Sequence, residues 1–196
     1  MMPHVDRWVI SHTLDWMAAH LRRAEEMPVC AMNISGASVC DSQFRNFLLS
    51  ALHEQRALCE NICFEITETA AVADLGSAID FMKSVKTLGC RFALDDFGAG
   101  MSSFTYLKNL PVDFIKIDGA FVKDLLNDDV SLAMVRAIAD ISRVMQIASI
   151  AEFVENDAIR LKLSEMGIDY VQGYGVGMPQ PIEQFEHTGL IKRFAA

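Results

Sequence analysis

The chain has no Cys-x-x-Cys pair, no Gly-Lys-Ser/Thr ending to a glycine-rich loop, and no internal repeat or low-complexity linker. It also has no run of ~18 uninterrupted apolar residues of the kind a membrane span requires, and no basic-then-apolar leader at its start. Its five cysteines, Cys30, Cys40, Cys59, Cys63 and Cys90, are odd in number. Cys59 and Cys63 lack the second pair or nearby histidine that would complete a zinc set. Free thiols in a reducing compartment are therefore expected, and with them a cytoplasmic domain or a piece of a larger protein whose membrane parts lie elsewhere. The five histidines form no metal motif. Bases are in short supply: 17 Lys and Arg stand against 26 Asp and Glu, for a net charge of −9. That balance disfavours duplex nucleic acid, whose binding depends on cations neutralising phosphates. It leaves room for a small anionic ligand, because bound divalent cations invert the local charge.

What is present is apolar and periodic. Hydrophobic residues make up 52% of 196 positions, enough for one domain with a sizeable core. Apolar residues recur at helical spacing over 5–22, 41–57, 75–88, 129–145 and 156–166. Between them lie short, continuously apolar runs at 29–33, 62–66, 91–95, 114–117, 149–153 and 169–173, which read as strands. Gly89 and Gly167 stand where helices stop. Helices alternating with buried strands predict a parallel α/β sheet, either doubly wound or a (β/α)8 barrel. The strand ends favour the barrel. Each carries a polar group: Asn33, Glu65, Asp95 with Asp96, Lys116, Glu152 and Gln172. A barrel brings all such ends to one mouth, whereas an open sheet uses a single crevice.

Glu65, Asp95, Asp96 and Glu152 offer carboxylates and Asn33 an amide oxygen. An oxygen-only set suits Mg2+ or Mn2+ rather than zinc. Taken singly, each acid is best explained as a helix cap or a surface ion pair, an explanation that weakens when all of them share one mouth. Lys116, between Ile115 and Ile117, is either an edge-strand lysine with its head in water or a cation held near metals, where it orients or helps deprotonate a water. Gln172 is a ligand contact or an ordinary core amide. Glu68 and Glu155, three residues after Glu65 and Glu152, are expected to steady loops or ligands. Residues 97–103, FGAGMSS, form either a tight turn or a mobile loop reporting ligand state.

The segments MNIS (32–35), FEITET (64–69), LDDFGAGMSS (94–103), LPVDFIKID (110–118), IAEFVE (150–155) and QGYGVGMPQP (172–181) resemble, in order, those of the EAL domain family, the bacterial cyclic-di-GMP phosphodiesterases. The resemblance covers nearly all of 1–196. It implies a TIM-like (β/α)8 barrel that opens one phosphodiester of cyclic-di-GMP to give linear pGpG. It further implies two divalent cations on Asn33, Glu65, Asp95, Asp96 and Glu152. Catalysis would fall to Lys116, Asp96 and Glu152, with Gln172 in the same site and Glu68 holding the DDFGAG loop. A homodimer is implied, as are sensor or cyclase domains as partners. The alternative is a cyclic-di-GMP receptor that binds without hydrolysis. The Glu-Ala-Leu motif that names the family is absent, and its glutamate is a metal ligand there. The chain thus resembles such a domain without its first strands. It is expected to pair with a second copy or to be poorly soluble alone, since an open barrel has two sheet edges. Phe153, where many members have Gly, and Met101, where an aromatic is common, are further departures.

Overall fold

Ile62–Thr67 is apolar except at Glu65 and Thr67, and rich in residues that favour extended backbone; it forms the strand β2. The computed structural model describes residues 1–20, 29–99, 104–181 and 192–193. Leu21 and Arg22, within the first expected helix, and Gly100–Ser103, with the Met101 departure, lie outside the described residues. The chain divides into two compact units, Met1–Ala93 with Phe104–Val112, and Leu94–Ser103 with Asp113–Ala196.

The first unit starts with α1 (Met2–His20), then β1 (Cys30–Asn33), α2 (Gly36–Val39) and α3 (Ser42–Glu54). A 3₁₀ turn (Arg56–Asn61) leads into β2, followed by α4 (Glu68–Ala73), α5 (Leu75–Lys86) and the opening of β3 (Arg91–Phe97). The short helix α6 (Phe104–Leu107) also belongs here. β1 and β2 are parallel, with Asn33 level with Glu65, and β3 is the next neighbour. The core is a chain of aromatic rings, Phe44 on Phe81, Phe81 on Phe92 and Phe92 on Phe64, all fully buried. Helix α1 is tied in through Asp6. The buried Asp6 carboxylate accepts from the Ser35 amide at 3.0 Å, the Ser35 hydroxyl at 2.6 Å and the Ser38 hydroxyl at 2.6 Å.

The second unit contains the end of β3, then β4 (Phe114–Ile117), α7 (Gly119–Lys123), α8 (Asp129–Met145), β5 (Ala148–Ala151), α9 (Asp157–Glu165), β6 (Tyr170–Val171) and β7 (Lys192–Arg193). β4, β5 and β6 are parallel neighbours, and β7 adds to β6 antiparallel. Asp128 caps α8, accepting from the amides of Val130 and Ser131, and Asn156 caps α9 through the Ile159 amide. Gly167 follows the end of α9 with φ of 78°.

The alternation of strands and helices agrees with the α/β reading; the short helices α2, α4, α6 and α7 are added, the strand expected over 149–153 is Ala148–Ala151, that over 169–173 is Tyr170–Val171, and three further differences follow. Helix α5 ends at Lys86, short of 88, because Thr87 already caps it and Gly89, at φ 90°, begins the turn to β3. The helix expected over 41–57 gives way at Gln55 to the tighter 3₁₀ turn. A seventh strand, β7, joins the six expected. Among the described residues, no helix is long and apolar enough to cross a membrane.

Candidate active site

β3 does not stop at its acids. It continues through Asp95 and Asp96 to a fully buried Phe97, which anchors the strand end below them. Asp96 adopts φ of 54°, a conformation that aspartate tolerates better than most residues, and its amide donates to Asp95 Oδ1 at 3.1 Å. Just past the strand ends, the second unit is stitched by backbone bonds. Asp118 donates to Phe97 and Glu152 to Ile117, both at 3.3 Å, and Gln172 to Ala151 at 2.9 Å. These bonds bring the polar residues that follow successive strands to the same level.

Lys116 is 3% exposed and inside β4, so its charge requires partners. Its ammonium donates to Asp95 Oδ1 and to Glu152 Oε1, each at 2.9 Å. Asp95, Asp96 and Glu152 each offer a carboxylate oxygen, and these atoms lie within 4.8 Å of one another. Partial burial pushes the Asp96 carboxyl above its ordinary range; the charges of Asp95 and Asp118 push the same way, and Lys116 opposes them. Three convergent carboxylates, without nitrogen or sulfur donors, suit a hard divalent cation, which Asp95, Asp96 and Glu152 could hold.

The remaining expected residues fall as follows. Gln172 is exposed, immediately after β6; its carbonyl accepts from Val154 at 3.0 Å, and Gly175 donates to Val154 at 2.8 Å. Glu155 is exposed, next to this pair of segments. Glycine is required there. Gly173 has φ of 153°, and a Cβ on it would stand 2.3 Å from the Val154 nitrogen; one on Gly175 would stand 2.5 Å from the Glu155 carbonyl carbon. In the first unit, Asn33 is exposed at the end of β1, and its register partner Glu65 is 6% exposed. Glu68 is buried at the start of α4 and accepts a hydrogen bond from the Tyr106 hydroxyl.

Three residues are absent from the expected set: Asp118 and Phe153 beside the second unit's carboxylates, and Tyr106 beside Glu68 in the first unit. Asp118 had a signal, as the acid directly after the Lys116 strand. Tyr106 had none, being 38 residues from Glu68.

The family model for the EAL domain matches residues 1–179. Cyclic di-GMP phosphodiesterase PdeB of Shewanella oneidensis is 39% identical over 98% of this chain, and cyclic di-GMP phosphodiesterase PdeF of Escherichia coli is 37% identical over 91%. The chain spans only 23% and 24% of the length of those two relatives. Among solved structures, the EAL domain of FimX from Pseudomonas aeruginosa, bound to c-di-GMP, superposes with a TM-score of 0.84 at 30% identity. The match covers 95% of this chain and 74% of that one. The fold class is thus the α/β, TIM-like one expected, and the chain belongs to the EAL domain family.

Proposed function

We propose that this chain hydrolyses cyclic-di-GMP to linear pGpG. The observation that carries the reading is the Lys116 ammonium, held 2.9 Å from both Asp95 and Glu152 beside a third carboxylate, Asp96. The ligand set proposed for two divalent cations, Mg2+ or Mn2+, is Asn33, Glu65, Asp95, Asp96 and Glu152. When bound, the cations supply an activated water and stabilise charge on the attacking and leaving oxygens. Lys116 orients the attacking water and places a positive charge where the phosphate gains negative charge. Its two carboxylate partners fix the ammonium in one position, so no reorganisation is needed at the moment of reaction. Asp95 and Glu152 therefore act twice, on cations and on Lys116. Glu68, locked by Tyr106, steadies the helix that follows the β2 end bearing Glu65. Gln172 and Glu155 flank the site on the segments after β6 and β5.

The test is turnover of cyclic-di-GMP with Mg2+ or Mn2+, read as linear dinucleotide by chromatography. Asp95→Asn and Lys116→Ala should each abolish it, with nucleotide binding surviving in Lys116→Ala. Unchanged rates in both variants rule the mechanism out. A second reading, a receptor that binds without hydrolysis, draws on the c-di-GMP bound in the FimX structure. Binding by the wild-type chain with no product at any metal concentration selects it. Both readings place the domain in the cytoplasm, as a homodimer working with sensor or cyclase domains.

A further inference from the structure

Phe153 directly follows Glu152, and three independent observations mark it. Its φ is 52°, a left-handed conformation that a bulky L-residue rarely adopts and that costs free energy. The residue is 52% exposed, so burial offsets that cost only in part. Its surroundings are nevertheless cut to the ring. At Gly119 a Cβ would come within 2.1 Å of Phe153 Cδ2, so only glycine leaves room, and the Lys123 ammonium lies 4.3 Å from the ring centroid. A strained, solvent-facing aromatic held by a glycine cradle and a cation serves something outside the folded core.

Its place tells what. Phe153 and Gly119 each come one residue after an acid of the site, Glu152 and Asp118, and the Asp118 amide donates at 3.3 Å to Phe97, the residue after Asp96. The ring therefore stands at the rim of the carboxylate cluster. The neighbouring segment, bound to Val154 through Gln172 and Gly175, carries a second open aromatic, Tyr174, at 68% exposure. A flat apolar face at the edge of a site for a nucleotide phosphate matches a nucleobase, which stacks on aromatic rings whatever its hydrogen-bonding edge.

We infer that Phe153 is a specificity-determining residue whose ring stacks on a purine base of the substrate, with Gly119 and Lys123 holding it in the stacking pose. The inference rests on the cyclic-di-GMP reading above. Phe153→Gly removes the strain and the stacking face together. It should raise the thermal midpoint and weaken cyclic-di-GMP by about tenfold, as KM in turnover and as Kd in calorimetry, with kcat changed far less. Phe153→Leu keeps the bulk without the π-face and should weaken the nucleotide similarly. Phe153→Trp should restore affinity and show fluorescence quenching on titration with cyclic-di-GMP, beyond any change in a parallel wild-type titration. Wild-type-like KM and Kd in both Phe153→Gly and Phe153→Leu overturn the inference while leaving the cyclic-di-GMP reading intact. A wild-type chain that neither binds nor turns over cyclic-di-GMP overturns that reading, and this inference with it.

Discussion

Lys116 Nζ lies 2.9 Å from Glu152 Oε1, one residue past the neighbouring strand, and at the same distance from Asp95 Oδ1, so one buried cation pairs with two of three clustered carboxylates. Removing one member of a buried charge group leaves the others uncompensated, at roughly 3–5 kcal/mol. Lys116→Ala should lose that order of stability in urea unfolding without divalent cations. It should recover more stability on adding Mg2+ or Mn2+ than the wild type does, because cations then meet the full acidic charge. Equal recovery in the two proteins contradicts this.

Asp96 shows the opposite balance. Its carboxyl is held above the ordinary range, so between the unfolded and the folded value the folded chain keeps a proton that the unfolded chain has released. Its contribution favours folding at low pH and is lost as pH rises through the folded value. Asp96→Asn should therefore raise the metal-free thermal midpoint at neutral pH, with the gain shrinking in acid, while turnover disappears. A variant less stable at pH 7 than at pH 4, relative to wild type, would contradict the sign.

Asp6 accepts three hydrogen bonds on a single oxygen. Asp6→Ala leaves the Ser35 and Ser38 hydroxyls without their acceptor, at a cost of about 2–4 kcal/mol. Urea midpoints of Asp6→Ala and Asp6→Asn should differ, the amide oxygen keeping part of the network. Identical losses would mean that the neutral amide oxygen keeps none of the network and that the carboxylate's charge is essential.

Asp128 caps α8 through the Ser131 hydroxyl and the amides of Ser131 and Val130, and these hold its carboxyl below the ordinary carboxylate range. The stabilisation is present above the unfolded carboxyl's pKa and fades as pH falls through the folded one. The gap in urea midpoint between wild type and Asp128→Ala should therefore be full at pH 7 and close on strong acidification. A gap constant with pH would show that capping here does not depend on charge.

Helix α8 was readable to its ends because seventeen residues hold a steady apolar stripe and an aspartate caps the start. β2 and β4 were readable because short, mostly apolar runs of that length fit buried strands. The short helices α2, α4, α6 and α7 were not readable, since four to six residues complete little more than one turn and show no period. Nor was β7, a two-residue strand defined only by its partner β6. At the site, chemistry was legible where a polar residue interrupts an apolar run, as at Lys116. It was not legible where the fold joins distant positions, as with Tyr106 and Glu68, or Asp6 and Ser35 across 29 residues. Phe153 stands out in the sequence only as a departure; its left-handed backbone and glycine cradle exist only in three dimensions.

Gly173 and Gly175 contribute no functional group, yet they behave as spacers of zero thickness. The strand-following segments they separate are those that carry Glu152 and Gln172, and the gap between the two backbones is narrower than one methyl group. The aim of a carboxylate on one segment is thus calibrated by the absence of atoms on the next. Evolutionary freedom at these two positions should be smaller than at several of the polar residues around them, because no compensating side chain can restore a distance set by backbone against backbone.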